Sequence, residues 1–176
     1  PMTAAIVEAE TAAVALEKEE RLVAWLARQP SVLVGFSGGV DSAYLACAAH
    51  EALGASRVLA VIGRSASYPA EQWAMARAVA AKAGLQVLET DTHEMDDARY
   101  AANPANRCYF CKSELWSVLG RIARERGIAT IVDGTNADDL GDWRPGSHAA
   151  REAGVHSPLA DAALTKTEIR LLSERR

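Results

Sequence analysis

The sequence predicts an α/β fold, a doubly wound and mainly parallel sheet of about five strands with helices on its faces. Two observations predict it. Short apolar runs alternate along the chain with longer stretches at helical spacing, and the first of those runs, Val32 to Phe36, passes through a glycine-rich turn straight into a helical pattern. A hydrophobic fraction of 49% over 176 residues allows a sizeable core in one domain's length of chain.

The elements follow in order. Glu10 to Gln29 is rich in Ala, Glu and Arg and places Leu22, Trp25 and Leu26 at helical spacing, so it reads as an amphipathic helix that Pro30 ends. Val32, Leu33, Val34 and Phe36 form a short buried strand, with Gly35 allowing close approach of backbone or ligand. The next helix carries Val40, Tyr44, Leu45, Ala48 and Leu53. Arg57 to Ile62 is the second strand, followed by a polar loop and a helix that opens at Pro69, buries Trp73, Ala76 and Val79 or Ala80, and stops at Gly84. Leu85 to Leu88 is the third strand. Arg107 to Arg126 is a longer helix with Leu115, Val118, Leu119 and Ile122 on one face, and Ala129 to Val132 is the fourth strand. In a parallel sheet of this kind ligands sit at the carboxyl ends of the strands, so loops starting at Ser37, Gly63, Asp91 and Asp133 share one rim.

Composition narrows the function. A net charge of −4 and a pI near 5.6 give no general attraction to nucleic acid or anionic membrane. Residues 1–30 hold no long apolar run behind a basic start, so neither a signal peptide nor a membrane span is expected, and the expected compartment is the cytoplasm. Three cysteines, two of them in one Cys-x-x-Cys, are not a secreted disulfide framework.

Each loop on the rim carries candidate chemistry. Ser37, Gly38 and Gly39 supply a hydroxyl and unobstructed N–H donors at a helix start, where the dipole also favours phosphate. The spacing matches neither the P-loop of NTPases nor the Gly-x-Gly-x-x-Gly of dinucleotide folds. In Gly63 to Tyr68, Arg64 and Ser65 either serve a ligand or simply solvate a loop. The acidic run Asp91 to Asp97 includes His93, which is assigned no role. Cys108 and Cys111 have the spacing of a redox pair, half a zinc site or cluster ligands, or they are two reduced thiols at a helix start, and Arg107 and Lys112 flank them. The third cysteine, Cys47, lies on the apolar face of the helix that follows the glycine turn, so this chain alone offers no four-cysteine zinc site. At the last rim Gly134 permits close approach, and Thr135, Asn136, Asp138 and Asp139 offer oxygens that suit Mg²⁺ beside a triphosphate, or cap helices and make turns. Arg144, before Pro145, is a candidate for pairing with phosphate or carboxylate.

The run SGGVDS, Ser37 to Ser42, between a strand and a helix, resembles the signature of the PP-loop ATP pyrophosphatase superfamily, with its adenine nucleotide alpha hydrolase-like fold. With NPANRCYFCK (Asn103 to Lys112), GTNADDLGDWRPG (Gly134 to Gly146), Ser157-Pro158-Leu159 and LTKTEIR (Leu164 to Arg170), the chain from Leu22 to Arg176 is similar to the ATP-dependent sacrificial sulfur transferases of the LarE type. That resemblance implies ATP and Mg²⁺ as cofactors. It also implies a two-stage reaction, in which a carboxylate of pyridinium-3,5-biscarboxylic acid mononucleotide attacks the α-phosphate of ATP and sulfur then displaces AMP.

The residues implied in nucleotide binding are Phe36, Ser37, Gly38, Gly39, Val40, Asp41 and Ser42, then Val61, Ile62 and Gly63 at the adenine, then Gly134 and Thr135. Asp41 is the implied metal ligand, and Asp41, Lys112 and Arg144 the implied catalytic groups. Expected partners are a small-molecule nucleotide substrate and further copies of the chain in a homo-oligomer, with neither membrane nor nucleic acid. The expected division is a helix over 1–30, the pyrophosphatase domain over 31–160 and the start of a truncated carboxyl-terminal region over 161–176. Family members that sacrifice a cysteine carry it beyond this domain, and no cysteine follows Cys111. A third ligand for an iron–sulfur cluster beside Cys108 and Cys111 is also missing from the sequence. Two alternatives use the same loop: a tRNA thiolase, against which the acidic charge counts, and a non-catalytic adenine-nucleotide-binding module.

Overall fold

The computed structural model describes residues 2–64, 68–92, 107–141 and 145–176, with the side chains of 107–112, 141 and 145–148 outside that description. Four parallel strands form one sheet in the order β3-β2-β1-β4, where β1 is Val32–Gly35, β2 Val58–Arg64, β3 Val87–Asp91 and β4 Thr130–Val132. The helices are α1 (Met2–Ala27), α2 (Val40–Leu53), α3 (Ala70–Ala83), α4 (Arg107–Arg126), α5 (Pro145–Glu152), α6 (Pro158–Asp161) and α7 (Lys166–Ser173). The doubly wound fold is as the sequence predicts, with four strands among the described residues where about five were expected. Among the described residues beyond β4, His156 makes an isolated parallel bridge with Val132. That segment cannot lengthen into a strand, because Gly154 closes α5 with φ at 74° and Pro158, which has no N–H to donate, already opens α6.

Alternate residues of the central strands enter two cores. Val58, Ala60 and Ile62 face one built from α1, α2, α3 and α7, with Leu22, Leu26, Leu45, Leu164, Ile169 and Leu172 buried in it. Leu59 and Val61 face the other, against Trp116, Leu119, Ile122 and Ala123 of α4 and Ala149 and Ala150 of α5.

Strand β2 begins at Val58 and runs to Arg64, so Gly63, expected to open the loop, lies in the strand paired with Thr90 of β3. Other elements differ from expectation for local reasons. Helix α1 begins at Met2 rather than Glu10, since Met2 to Ala9 is rich in good helix formers and has no Gly or Pro. The third strand starts at Val87 and runs on to Asp91, because Gly84 takes a left-handed conformation and the N–H of Leu85 is drawn back to the Ala80 carbonyl, 3.0 Å away, ending α3. Its acidic residues are tolerated because β3 lies at the sheet edge. The buried stripe of α4 includes Trp116, while Leu115 and Val118 are only partly buried. Trp116 is also what Gly35 accommodates: a methyl carbon on Gly35 would lie 2.8 Å from the indole Cη2. The close approach expected there is made by the protein's own indole, not by a ligand.

No helix among the described residues is long and apolar enough to cross a membrane.

Candidate active site

The site is built where β1 hands over to α2. Gly38 has φ at 81°, in the left-handed region, and a side chain there would place its first carbon 2.7 Å from Cβ of Ala76 on α3. Glycine is therefore required twice over. Helix α2 starts after Gly39 without a side-chain cap, so its first-turn N–H groups, which have no carbonyl of the helix's own to bond, are not consumed by a capping side chain.

The loop holds its own shape. Ser42 Oγ accepts from the backbone N of Ser37 at 3.1 Å and lies 3.0 Å from Ser37 Oγ, while Ser37 Oγ accepts from Gly39 N at 3.3 Å. From α3 and its approach, the Tyr68 hydroxyl and Gln72 Nε2 both donate to the Ser37 carbonyl, at 2.8 and 3.4 Å. Ser42 is buried, so its hydroxyl braces the turn from inside.

At the adjoining strand end, β4 delivers Asp133 to Asn136. The buried Asp133 carboxylate accepts from the backbone N and the hydroxyl of Thr135, both at 3.1 Å, and from the Ser157 hydroxyl at 2.8 Å. Asn136 Oδ1 accepts from the N–H groups of Asp138 and Asp139, at 2.8 and 3.2 Å. With its oxygen committed, the amide turns Nδ2 toward α2 and donates to Asp41 Oδ2 at 3.0 Å. Gly134 lets these parts meet, since a methyl carbon on it would lie 2.9 Å from the backbone N of Ser42.

Asp41 is the junction. Its Oδ2 also accepts from Lys166 Nζ at 3.0 Å, while Oδ1 is buried with no hydrogen-bond partner among the described residues. Lys166 is the first residue of α7, held there by a Thr165 cap and by its own N–H, which donates to Asp138 Oδ2 at 2.8 Å. A lysine beside the start of one helix, a carboxylate in the first turn of another and unspent N–H donors make a place where phosphate oxygens and a cation can be balanced together.

The structure thus brings Ser37, Gly38, Gly39, Val40, Asp41, Ser42, Gly134 and Thr135 to one rim, with Gly134 packed on backbone and Thr135 tied to Asp133. Phe36 is also at the loop, but its ring is buried in the core and its N–H donates to the Val61 carbonyl at 2.9 Å. Val61 and Ile62 are core residues on opposite faces of β2, leaving only backbone to offer, and Gly63 packs on Leu115 of α4. The side chains of Arg107, Cys108, Cys111 and Lys112, together with all of Ser65, His93 and Arg144, lie outside the described residues. Cys47 is half-buried, and burial, then the nearby Glu51 charge, raises its thiol pKa. Among the described residues no group of three or more His, Cys, Asp or Glu side chains gathers as a metal site.

Sequence reasoning did not single out Lys166. Its signal is the capping pattern Thr165-x-x-Glu168, which fixes a helix start and makes Lys166 a cation at the end of a helix that disfavours cations. A local rule broken in this way marks a residue kept for another purpose.

The parallel sheet and the uncapped, serine-braced turn define a nucleotide-binding domain with a PP loop. The chain belongs to the NAD synthase family, whose pattern matches residues 21–126. It is 41% identical over 157 residues to an uncharacterized protein of Synechocystis, covering 89% of this chain and 58% of that one. It is 34% identical over 157 residues to pyridinium-3,5-bisthiocarboxylic acid mononucleotide synthase of Lactiplantibacillus plantarum, covering 89% of this chain and 57% of that enzyme. The resemblance to the LarE type read from the motifs therefore extends along most of the chain, which spans a little over half the length of these relatives. Among solved structures, glutamine-dependent NAD+ synthetase of Acinetobacter baumannii in complex with ADP superimposes with a TM-score of 0.73 at 22% identity, over 92% of this chain and 33% of that one. The U34-tRNA thiolase NcsA of Methanococcus maripaludis, with its [4Fe-4S] cluster, gives 0.67 at 18% identity, over 92% of this chain and 64% of that one. At such identities the last two speak for the fold.

Proposed function

We propose that this chain is the ATP-using part of a sulfur transferase that converts a carboxylate of pyridinium-3,5-biscarboxylic acid mononucleotide into a thiocarboxylate. The observation that carries the reading is the pairing of an uncapped PP-loop helix with the Asp41–Lys166 contact at its mouth. The 34% identity to the Lactiplantibacillus synthase supports the choice of acceptor.

In this reading the first-turn N–H groups of α2, those of Val40 and Asp41, bind the β- and γ-phosphates. Lys166 leaves Asp41 to lie against phosphate oxygens, covering charge as pyrophosphate departs. The acceptor carboxylate oxygen forms a bond to the α-phosphorus, the bond from that phosphorus to the pyrophosphate oxygen breaks, and an acyl-adenylate results. A sulfur nucleophile then attacks the acyl carbon and AMP leaves with the electron pair. Activation is needed because an unactivated carboxylate oxygen is a poor leaving group.

The orphaned Oδ1 of Asp41 fits Mg²⁺, which takes one or two carboxylates alongside phosphate oxygens and water. Bound there, Mg²⁺ supplies positive charge to the departing pyrophosphate. Asn136 and Asp133 keep Asp41 aimed while Lys166 is shared. Lys112 and Arg144 remain proposed cations for neutralising phosphate or acceptor charge.

The test is pyrophosphate release from ATP with and without the pyridinium dicarboxylate mononucleotide. Acceptor-dependent release with formation of an AMP ester supports the reading. Nucleotide binding without release under either condition favours a non-catalytic binding module.

A further inference from the structure

Lys18 lies in the middle of α1, far from the PP loop in sequence. Its ammonium reaches Glu168 of α7 and donates to both carboxylate oxygens, at 2.8 and 2.9 Å, across 150 residues. Glu168 is buried, and it is also the third residue of α7 and the acid of its capping box. Its Oε2 accepts from the backbone N of Thr165 at 2.9 Å, and its own N–H donates to Thr165 Oγ1 at 3.3 Å. One carboxylate therefore closes the start of α7 and receives a lysine from another helix. Lys166 stands in that same turn, between the two halves of the box.

This arrangement is poorly explained by stability alone. A largely buried ion pair often recovers no more than its desolvation cost, and a well-packed apolar pair would hold α1 to α7 as well. What the pair adds is a tether between α1 and one defined point of α7, made specific because the same Glu168 carboxylate is fixed by the Thr165 N–H in the capping box. Lys166 needs such a constraint, since the positive end of α7 repels it and Asp41 attracts it from only one direction.

We propose that Lys18, acting through Glu168 and Thr165, is a positioning residue for Lys166: α1 sets the rotation of the first turn of α7 so that the Lys166 ammonium stands at the PP loop. The proposal rests on the reading of Lys166 as the cation that meets the phosphates.

The experiment is a double-mutant cycle on the full chain, with the affinity for ATP in the presence of Mg²⁺ measured by direct titration below the melting temperature of every variant. Lys18→Met is expected to weaken ATP about tenfold, Lys18→Arg to restore most of that loss, and Lys18→Met to add nothing once Lys166 is already Ala. Glu168→Gln, which keeps a capping acceptor and loses the ion pair, replaces Lys18→Met if that variant does not fold, and is expected to show the same dependence on Lys166. A melting temperature lowered equally by Lys18→Met in both backgrounds, beside an affinity effect seen only where Lys166 is present, is the pattern positioning requires. An affinity loss from Lys18→Met that persists undiminished in Lys166→Ala, or folded Lys18→Met with unchanged affinity, overturns the proposal while leaving the role of Lys166 intact. Unchanged ATP affinity in Lys166→Ala overturns both.

Discussion

Lys166 Nζ lies 3.0 Å from Asp41 Oδ2, joining the first turns of two helices separated by 125 residues. If this ammonium transfers to phosphate when ATP binds, Lys166→Ala removes charge from the transition state and little from the fold, since the side chain is partly exposed and Asp41 keeps Asn136. The expected outcome is a fall in pyrophosphate release of roughly a hundredfold, with a melting temperature close to that of the parent. Rate and melting curves on one preparation check it.

Asp133 makes no direct claim on a ligand in this account, yet it holds Thr135 and Ser157 in place. Asp133→Ala leaves the partly buried Thr135 and Ser157 donors without this acceptor and is expected to cost about 1–3 kcal/mol of stability. Denaturant unfolding measures this, and ATP affinity should fall with it as Asn136 loses its fixed strand end.

Gly35 tests the packing of the sheet on α4. Gly35→Ala drives a methyl group into the Trp116 ring and is expected to destabilise by about 1–3 kcal/mol, with partial rescue when Trp116 is replaced by Phe. Failure of that rescue places the strain elsewhere.

Glu168 gives a pH dependence. Burial pushes its pKa up, but the hydrogen bond from Lys18, the Thr165 N–H, the Lys18 charge and the Thr165 hydroxyl together bring it below its ordinary 4.5. A group whose folded pKa is lowered contributes stability that is present above the ordinary value and lost as pH falls through the folded one. Melting temperature should therefore drop on acidification below about pH 4.5, and Glu168→Gln should flatten that part of the profile.

Much of the fold is legible in the sequence because period and punctuation agree: Pro30, Gly84 and the apolar runs fix where helices and strands alternate, and α4 runs from Arg107 to Arg126 as read. The PP loop is legible because its chemistry is local. What escapes is long-range. Gly35 announces a close approach but not that Trp116 makes it, and Gly134 does not reveal that α2 packs against it. Lys166 and Lys18 look like solvated lysines until the fold sets one beside Asp41 and the other beside Glu168. Strand β3 starts two residues late because the turn after α3 claims Leu85, a competition that apolar spacing does not register.

The most direct measurement of the central claim is pyrophosphate and AMP-ester formation by the full chain given ATP, Mg²⁺ and pyridinium-3,5-biscarboxylic acid mononucleotide, beside Asp41→Ala in the same assay. The account predicts acceptor-dependent release by the parent chain and none by the folded Asp41→Ala variant. Release that is unchanged in that variant, or hydrolysis to ADP and phosphate in place of pyrophosphate, would contradict it.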